Sequence, residues 1–524
     1  MAQQKKIVII GSGFSGLAAA CCLAQAGADV IVLEKNEQAG GRARIYEADG
    51  FMFDMGPSWY WMPDVFENFF QLFGKNVADY YALKLLSPSF SVFFNGDEKI
   101  NIPESEKDLE NLFESIEKGS ALQLRKFLKE AKYKYEIGMK ELVYKPALSW
   151  MEFADRRVLA GLTRLHILQS FQKYVRRYFK DKRLISILEF PVLFLGAQPK
   201  DTPALYSLMN YAGLSLGTWY PMGGMKKIID AMENLALSLN VKIITNTPAT
   251  KISVVNKKVT GVYSNEIFFE ADSVIASSDY HFTEEKLLAK EFRNYSGEYW
   301  SKRTMAPSSI IFYLGVKKKI KNLEHHNLFF DEDLEQHAKE IYETPKYPTR
   351  PLFYVCCPSK TDDAVAPIGM ENLFVLIPIA AGLKDDDATR EKYFDIVLSR
   401  LEKKTGENIR EHIIHKRSYA INDFQSDYNA FKGNAYGLAN TLRQTAVLKP
   451  SIRNKKLKNL FYTGQLTVPG PGVPPALISG QIVAKEVLKY FGKTLSSTNL
   501  ISQTSPNERG MFSKFSLENS LTKK

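Results

Sequence analysis

Three glycines near the N-terminus, at positions 11, 13 and 16, have the spacing that brings backbone against a phosphate group. Gly11 permits a tight turn, Gly13 lets the backbone approach a pyrophosphate, and Gly16 lets the following helix pack close to the preceding strand. Glu34 follows Gly16 by 18 residues, where a carboxylate accepts hydrogen bonds from ribose hydroxyls. These residues predict a dinucleotide-binding site.

The segments around these glycines predict the elements that must position them. Ile7–Ile10 is a short apolar run typical of a buried parallel strand, and Val30–Leu33 predicts a second one. A helix between them directs its free N–H groups and its positive dipole end at the phosphates. An acid rather than a base at Glu34 argues against a 2′-phosphate on the ribose. The predicted contacts are Gly11, Gly13, Phe14, Ser15, Gly16, Glu34 and Lys35.

Two further segments place glycines where the backbone would have to approach a cofactor closely. Gly40-Gly41-Arg42 follows the second predicted strand, and an arginine beside two glycines is suited to hold a phosphate. Near the other end of the sequence, Leu460–Thr463 predicts a strand, Gly464 a turn and Ala476–Phe491 a helix. This order directs the N-terminus of the last helix at the same cofactor.

Together these segments resemble the signatures of the bacterial carotenoid (phytoene) desaturases, within the superfamily of FAD-dependent amine oxidases and desaturases. The resemblance covers about residues 5–492. It departs at Gln465-Leu466-Thr467, where many members carry Ala-Gly-Thr-His. Three more segments match motifs of that family: Phe53–Tyr60 (FDMGPSWY), Gly217–Met225 (GTWYPMGGM) and Ala276–Thr283 (ASSDYHFT).

The resemblance implies a FAD-dependent phytoene desaturase, which introduces double bonds into a carotenoid precursor by hydride transfer to the flavin. The substrate would be a long apolar polyene held by apolar burial, and oxygen or a quinone would accept the electrons. The alternatives are a desaturase of shorter or hydroxylated carotenoids, a carotenoid isomerase, a flavin amine oxidase and a flavin-free prenyl-lipid-binding protein. The cofactor contacts implied by the resemblance are Gly41, Arg42, Gly56, Pro57, Ser58, Gly464, Gly472, Val473 and Pro474.

A protein base is not assigned from the sequence. Many relatives carry the pattern acidic residue–x–x–Leu–Arg before the central apolar run. Its two charged residues have been considered as catalytic acid or base groups. Here Asp181 matches the acid, whereas Ile185 occupies the place of the arginine. Asp181 is therefore interpreted as a helix-end surface residue, and flavin alignment is expected to govern the rate.

The order of predicted elements indicates an α/β fold. We expect a Rossmann-like FAD-binding domain that is discontinuous in sequence, a sheet-based substrate domain and a helical, membrane-facing subdomain. The FAD-binding domain takes residues 1–70, 216–300 and 441–492; the helical subdomain takes 71–215 and the substrate domain 301–440. Residues 493–524, rich in Ser, Thr, Asn and Lys, predict a disordered tail.

Positive charge is concentrated in one stretch. Residues 121–183 hold 16 Lys or Arg and 6 Asp or Glu, so ten of the net charge of +11 lies there. Interleaved aromatics and leucines are typical of a helix lying on an anionic bilayer. A solvated basic face is the alternative, and nucleic acid is not expected as a partner because no nucleic-acid module is recognised.

The remaining features favour a cytoplasmic protein that associates peripherally with a membrane. The first strand begins almost at once, which leaves no room for a signal peptide, and no apolar run is long enough to span a bilayer. The four cysteines form two adjacent pairs, Cys21-Cys22 and Cys356-Cys357, without metal-ligand spacing. His325-His326 is interpreted as a solvated pair, and no metal is expected.

Overall fold

The chain folds around two large sheets. A computed structural model describes residues 4–153, 165–167, 169–441 and 443–492. The strands, numbered along the chain, are β1 (Lys6–Ile10), β2 (Asp29–Leu33), β3 (Ile45–Ala48), β4 (Phe51–Asp54), β5 (Leu83–Leu85), β6 (Phe90–Phe93), β7 (Lys99–Ile102), β8 (Trp219–Pro221), β9 (Lys242–Ile244), β10 (Lys251–Val255), β11 (Lys258–Ser264), β12 (Ile267–Glu270), β13 (Ser273–Ala276), β14 (Ser308–Val316), β15 (His326–Phe329), β16 (Phe353–Cys356), β17 (Glu371–Ile379), β18 (Ile413–Tyr419) and β19 (Leu460–Tyr462).

The α-helices vary from a single turn to five turns. Those of the described residues are Phe14–Gln25, Pro63–Gln71, Glu106–Ile116, Ser120–Ile137, Phe171–Val175, Lys182–Glu189, Leu208–Leu214, Lys226–Ser238, Tyr280–Phe282, Gly297–Ser301, Leu334–Tyr342, Asp387–Thr405, Ile421–Tyr428 and Val473–Tyr490.

The first sheet is parallel, in the strand order β19–β13–β1–β2–β9. Its strands come from three separate parts of the chain: β1 and β2, β9 and β13, and β19. The segments between these parts build the rest of the molecule. In β1, Ile7 and Ile9 pack into one hydrophobic cluster and Val8 and Ile10 into another. Burial on both faces is why β1 is a continuous apolar run rather than an alternating one.

Two helices on one face of this sheet approach each other unusually closely. A Cβ at Gly480, in the helix Val473–Tyr490, would lie 2.2 Å from the carbonyl oxygen of Ser15, in the helix Phe14–Gln25. Only glycine therefore fits at that crossing. The antiparallel sheet β10–β11–β12 covers the opposite face through Ile252 and Val259.

The second sheet has seven strands, in the order β18–β14–β17–β16–β15–β6–β7. Neighbouring strands run antiparallel, except that β15 and β6 are parallel. Residues such as Phe312 and Val375 on one face pack against the helix Asp387–Thr405. The other face, with Tyr313 and Tyr354, faces the core shared with the parallel sheet.

The predicted strands and the last helix are confirmed to within three residues at their ends. The segment 71–215, predicted to be mostly helical, also contributes three short strands, β5, β6 and β7, and the last two complete the seven-stranded sheet. The reason is that β6 pairs with β15, more than 220 residues further along the chain, and β7 is added at the sheet edge by pairing with β6. Residues 154–164, part of the basic stretch, and the predicted tail 493–524 lie outside the described residues.

Within the described ranges, no helix combines the length and the apolar character needed to cross a bilayer.

Candidate active site

A cavity of about 1210 Å³ is lined by residues of both sheets. At one end it touches the carboxyl ends of β1 and β2, at Ile10 and Leu33. Ligands of parallel α/β sheets bind at this edge because the helices that follow the strands direct their N-termini there. The wall of the cavity also includes Leu328 and Leu376 of the seven-stranded sheet.

The fold brings almost all the predicted cofactor contacts to this cavity. Gly16 does not line it in the described structure: a Cβ there would lie only 2.1 Å from the carbonyl oxygen of Gly11, so this glycine serves the packing of strand and helix. Gln465, where the sequence departs from the family motif, does line it. The predicted residues that line the cavity are Gly11, Gly13, Phe14, Ser15, Glu34, Lys35, Gly41, Arg42, Gly56, Pro57, Ser58, Gly464, Gly472, Val473 and Pro474.

Gly13 offers an open cradle at a helix N-terminus. It is the N-cap of the helix Phe14–Gln25 and has no side chain to cap the free N–H groups. Among the described residues, no atom lies within 4 Å of the position that a Cβ on Gly13 would take. Free donors, the positive end of the helix dipole and empty space together fit a phosphate group.

Glu34 is held in place by the loop that precedes the first helix. Its Oε2 accepts hydrogen bonds from the Ser12 N–H (2.9 Å) and from the Ser12 hydroxyl (2.7 Å). Its Oε1 accepts from the Asn36 N–H at 2.9 Å. The carboxylate is buried at the cavity wall. Oε1, which accepts one hydrogen bond, keeps acceptor capacity for a further donor, such as a ribose hydroxyl.

Arg42 presents a cation to the same part of the cavity. Its guanidinium stacks 4.9 Å from the ring centre of Tyr428 and donates to the carbonyl oxygen of Asn434 at 3.2 Å. Burial lowers the pKa of Arg42, and its Nε has no hydrogen-bond partner among the described residues. Such an unsatisfied donor fits an anionic ligand.

One acid of the cavity wall, Asp279, was not assigned a role from the sequence. Asp279 lines the cavity, and burial raises its pKa to about 6, opposed by hydrogen bonds from the Phe282 and Phe431 N–H groups and by Arg42. Tyr428 was also missed. Asp279 lies in the segment Ala276–Thr283, which matches a family motif, but its position near Arg42, like the contact of Tyr428 with Arg42, depends on the fold.

Away from Gly13 and Glu34 the cavity wall is aromatic and aliphatic. The rings of Trp59 and Trp61 lie 5.2 Å apart, and Trp59 lies 5.9 Å from Phe190. The chain near Leu205 and Leu208 forms the facing wall. A wall of this composition binds apolar ligands through buried area rather than through hydrogen bonds.

The apolar end reaches the molecular surface beside residues 147–153. Trp150 and Phe153 line the cavity. Trp150 is 64% exposed and its neighbour Met151 84% exposed. Large apolar side chains in such exposed positions beside a cavity opening indicate a contact surface for something apolar.

Comparison with known proteins agrees with this geometry. The model of the flavin-containing amine oxidoreductase family matches residues 14–488. A carotenoid 3,4-desaturase of Haloarcula japonica is 40% identical over 92% of this chain and 98% of its own length. A zeta-carotene-forming phytoene desaturase of Myxococcus xanthus is 31% identical over 93% of this chain and 95% of its own.

The chain belongs to the flavin-containing amine oxidoreductase family. Within it, carotenoid and phytoene desaturases match over nearly the full length at 29–40% identity, so the protein is a flavin-dependent carotenoid desaturase. The fold is also that of a solved putrescine oxidase, with a TM-score of 0.61 and 14% identity over 93% of this chain and 99% of that one. The predicted family and enzyme class are confirmed.

Asp181 of the desaturase is a helix cap. Its side chain accepts a hydrogen bond from the Arg183 N–H at 2.8 Å and forms an ion pair with the Arg183 guanidinium at 2.7 Å. These bonds lower its pKa. Asp181 is not part of the cavity lining in the described structure. It therefore stabilises the start of the helix Lys182–Glu189.

Replacing Asp181 by asparagine is expected to change turnover less than about threefold, because asparagine also caps helices. Replacing it by alanine should lower stability by about 0.5–2 kcal/mol with flavin content unchanged. Steady-state kinetics and thermal unfolding of flavin-loaded variants measure both effects. If turnover of Asp181→Asn fell by several orders of magnitude, Asp181 would instead act as a general base.

Part of the basic stretch is neutralised by other elements of the desaturase. Arg125 pairs with Glu110 at 2.6 Å, and Arg176 pairs with Glu335 at 2.6 Å. Lys134 is buried against the ring of Tyr174, and burial lowers its pKa to about 7. The local net charge of this stretch therefore overstates the charge that it offers to a partner.

His325 and His326 are not a solvated pair, so that interpretation is wrong. His325 is 4% exposed and His326 0% exposed. The reason is that His326 begins β15, an interior strand of the seven-stranded sheet, and its ring stacks 4.0 Å from Trp59. Burial lowers the pKa of both imidazoles, so both are neutral at physiological pH.

Proposed function

We propose that this chain is a FAD-dependent desaturase that acts on an acyclic carotenoid taken from a lipid surface. The observation that carries the proposal is one continuous cavity. It extends from the glycine-lined helix N-terminus at Gly13 to the exposed apolar residues beside Trp150. Such a cavity accommodates a dinucleotide and a long apolar chain end to end.

The residues present suit FAD. Gly11 and Gly13 would admit its pyrophosphate, Glu34 would hold a ribose, and Arg42 would neutralise phosphate charge. The loop Gly464–Val473 and the helix that follows it would face the ring system. When bound, the flavin supplies the acceptor for a hydride from an allylic C–H, while a proton leaves the neighbouring carbon. Oxygen or a quinone would take up the two electrons.

The protein would contribute alignment and exclusion of water. An apolar polyene offers no hydrogen-bonding group, so the Trp59 and Phe190 rings would fix its position by packing alone. We assign no protein base. A proton leaving a carbon in this dry, aromatic section of the cavity needs a nearby acceptor, and Asp181 does not provide one from its place at the helix cap.

The reaction that we propose is 3,4-desaturation. The support is the margin in identity, 40% for the Haloarcula japonica 3,4-desaturase against 31% for the Myxococcus xanthus phytoene desaturase. Phytoene desaturation is the second candidate, favoured by relatives with that name from bacteria and a fungus. Both substrates are long and apolar, and the apolar wall suits either.

A lipid surface is the proposed source of the substrate, because a long polyene resides in the bilayer rather than in water. Leu148, Trp150 and Met151 are exposed at the cavity opening and would enter the interfacial region. Exposed cations such as Arg177 in the same part of the chain would add attraction to anionic lipids.

The test supplies the purified flavoprotein with liposomes that contain either phytoene or a coloured acyclic carotenoid with saturated 3,4 bonds. Products are separated by chromatography, with air or a quinone as acceptor. We expect the coloured substrate to gain double bonds and absorb at longer wavelength, and phytoene to remain unchanged. Conversion of phytoene alone would establish the second candidate. No product from either substrate, with the flavin absorption near about 450 nm present, would contradict desaturation.

A further inference from the structure

A buried cluster of metal-ligating groups lies behind the wall of the cofactor cavity. One ligand atom each of His325, His326 and Cys356 lies within 4.8 Å of the other two. All three residues are at most 4% exposed. The register of the seven-stranded sheet produces this, because His326 of β15 is paired directly with Cys356 of β16.

The hydrogen bonds of the two imidazoles leave one nitrogen of each ring free. His325 Nδ1 bonds to the Thr361 hydroxyl at 2.7 Å, and His326 Nδ1 bonds to the Tyr354 hydroxyl at 2.6 Å. The Nε2 atoms of both rings have no partner within the described structure. A metal-ligating imidazole binds the ion through one ring nitrogen, while its other nitrogen is hydrogen-bonded to a neighbouring group. Both imidazoles have this arrangement.

A small cavity of about 10 Å³ adjoins the cluster, lined by His325, Cys356 and Asp54 among others. This is room for one water or one small ion. Asp54 Oδ1 and the Tyr220 hydroxyl, which also face this cavity, lack hydrogen-bond partners among the described residues. Several unsatisfied polar atoms around one small space call for an occupant that satisfies them together.

We propose that His325, His326 and Cys356 bind one zinc-class divalent cation, with Asp54 as the fourth ligand. Two imidazole nitrogens, a thiolate and a carboxylate are a donor set that zinc takes in tetrahedral geometry. To reach bond lengths of about 2.0–2.3 Å, the ligand atoms of His325, His326 and Cys356 must draw closer to one another than 4.8 Å, and Asp54 must turn toward them across the small cavity. Binding would release the thiol proton of Cys356 to solvent during folding.

The ion would have a structural role next to the flavin. Ser58 lines both the small cavity and the large one. Through Asp54, the cation would fix the segment Asp54–Ser58 onto β15 and β16. Because the site is buried, the metal would enter as the protein folds and stay bound afterwards.

The test measures metal content in the full-length flavoprotein, produced with zinc in the growth medium. We expect about one zinc per chain after dialysis against a chelator, released only on denaturation. X-ray absorption at the zinc edge, which flavin does not obscure, should show one sulfur and three nitrogen or oxygen ligands. Cys356→Ser and His325→Gln should each lower the zinc content at least tenfold, with flavin content retained.

Cys357→Ser is the matched control. Cys357 is the next residue and equally buried, but its thiol lies 3.4 Å from Glu371, away from the histidines. This variant should keep its zinc. Folded wild type that contains no metal, or a Cys356→Ser protein with full zinc content, would overturn the proposal and leave a water molecule as the occupant. If Cys356→Ser does not fold, His325→Gln and the wild-type stoichiometry decide. The result is independent of which carotenoid is desaturated.

Discussion

Replacing Gly13 by valine is expected to give a folded desaturase that contains no flavin. The position of a Cβ on Gly13 is open to the cavity, so we expect the added side chain to extend into that space without disturbing the fold. Its methyl groups would occupy the space in front of the helix N-terminus where the pyrophosphate must lie. Flavin absorbance per protein and circular dichroism measure the two expectations.

Gly16→Val is the matched comparison for this prediction. A Cβ at Gly16 would lie 2.1 Å from the Gly11 carbonyl oxygen, so this variant should fail to fold rather than merely lose flavin. Gly13→Ala, with one added carbon, should retain more flavin than Gly13→Val. Full flavin occupancy in Gly13→Val would place the cofactor elsewhere.

Replacing Trp150 and Met151 together by glutamate is expected to lower activity on liposome-held carotenoid by more than tenfold. Burying a large apolar side chain contributes about 1.5–3 kcal/mol, and two such contributions would be lost at the bilayer. Repulsion from anionic lipids would add to the loss. Liposome sedimentation and product formation measure the effect, and flavin content should not change.

Ile368→Glu is the control for the membrane prediction. Ile368 is fully exposed, but it does not line the cavity within the described ranges. The same change of an exposed apolar residue to an acid should therefore leave binding and activity intact. Equal sedimentation of wild type and the double variant on anionic liposomes would show that residues 147–153 do not contact the membrane.

The positions of the predicted cofactor contacts at the edge of the parallel sheet were predictable because they depend on local sequence. Gly11, Gly13 and Glu34 act through one strand, one turn and one helix, so their spacing along the chain is also their spacing in the fold. The helix at Val473 was predictable for the same reason. These positions line the cavity, and their contact with a cofactor stays a prediction.

The environment of Arg42 was not predictable, because its neighbours Tyr428 and Asn434 follow it by nearly 390 residues. The sequence also could not reveal that Arg176 pairs with Glu335, which removes a charge from the basic stretch. Contacts of this kind depend on how distant elements pack, and a local pattern contains no information about them.

The histidine pair shows most clearly what each level decides. The sequence by itself determined that His325 and His326 are adjacent and that apolar residues follow. Only the tertiary structure decided that β15 is an interior strand with Trp59 over one face and Cys356 opposite. Whether the side chains of a four-residue strand are buried depends on which elements pack against it. The elements that pack against β15 come from three distant segments of the chain.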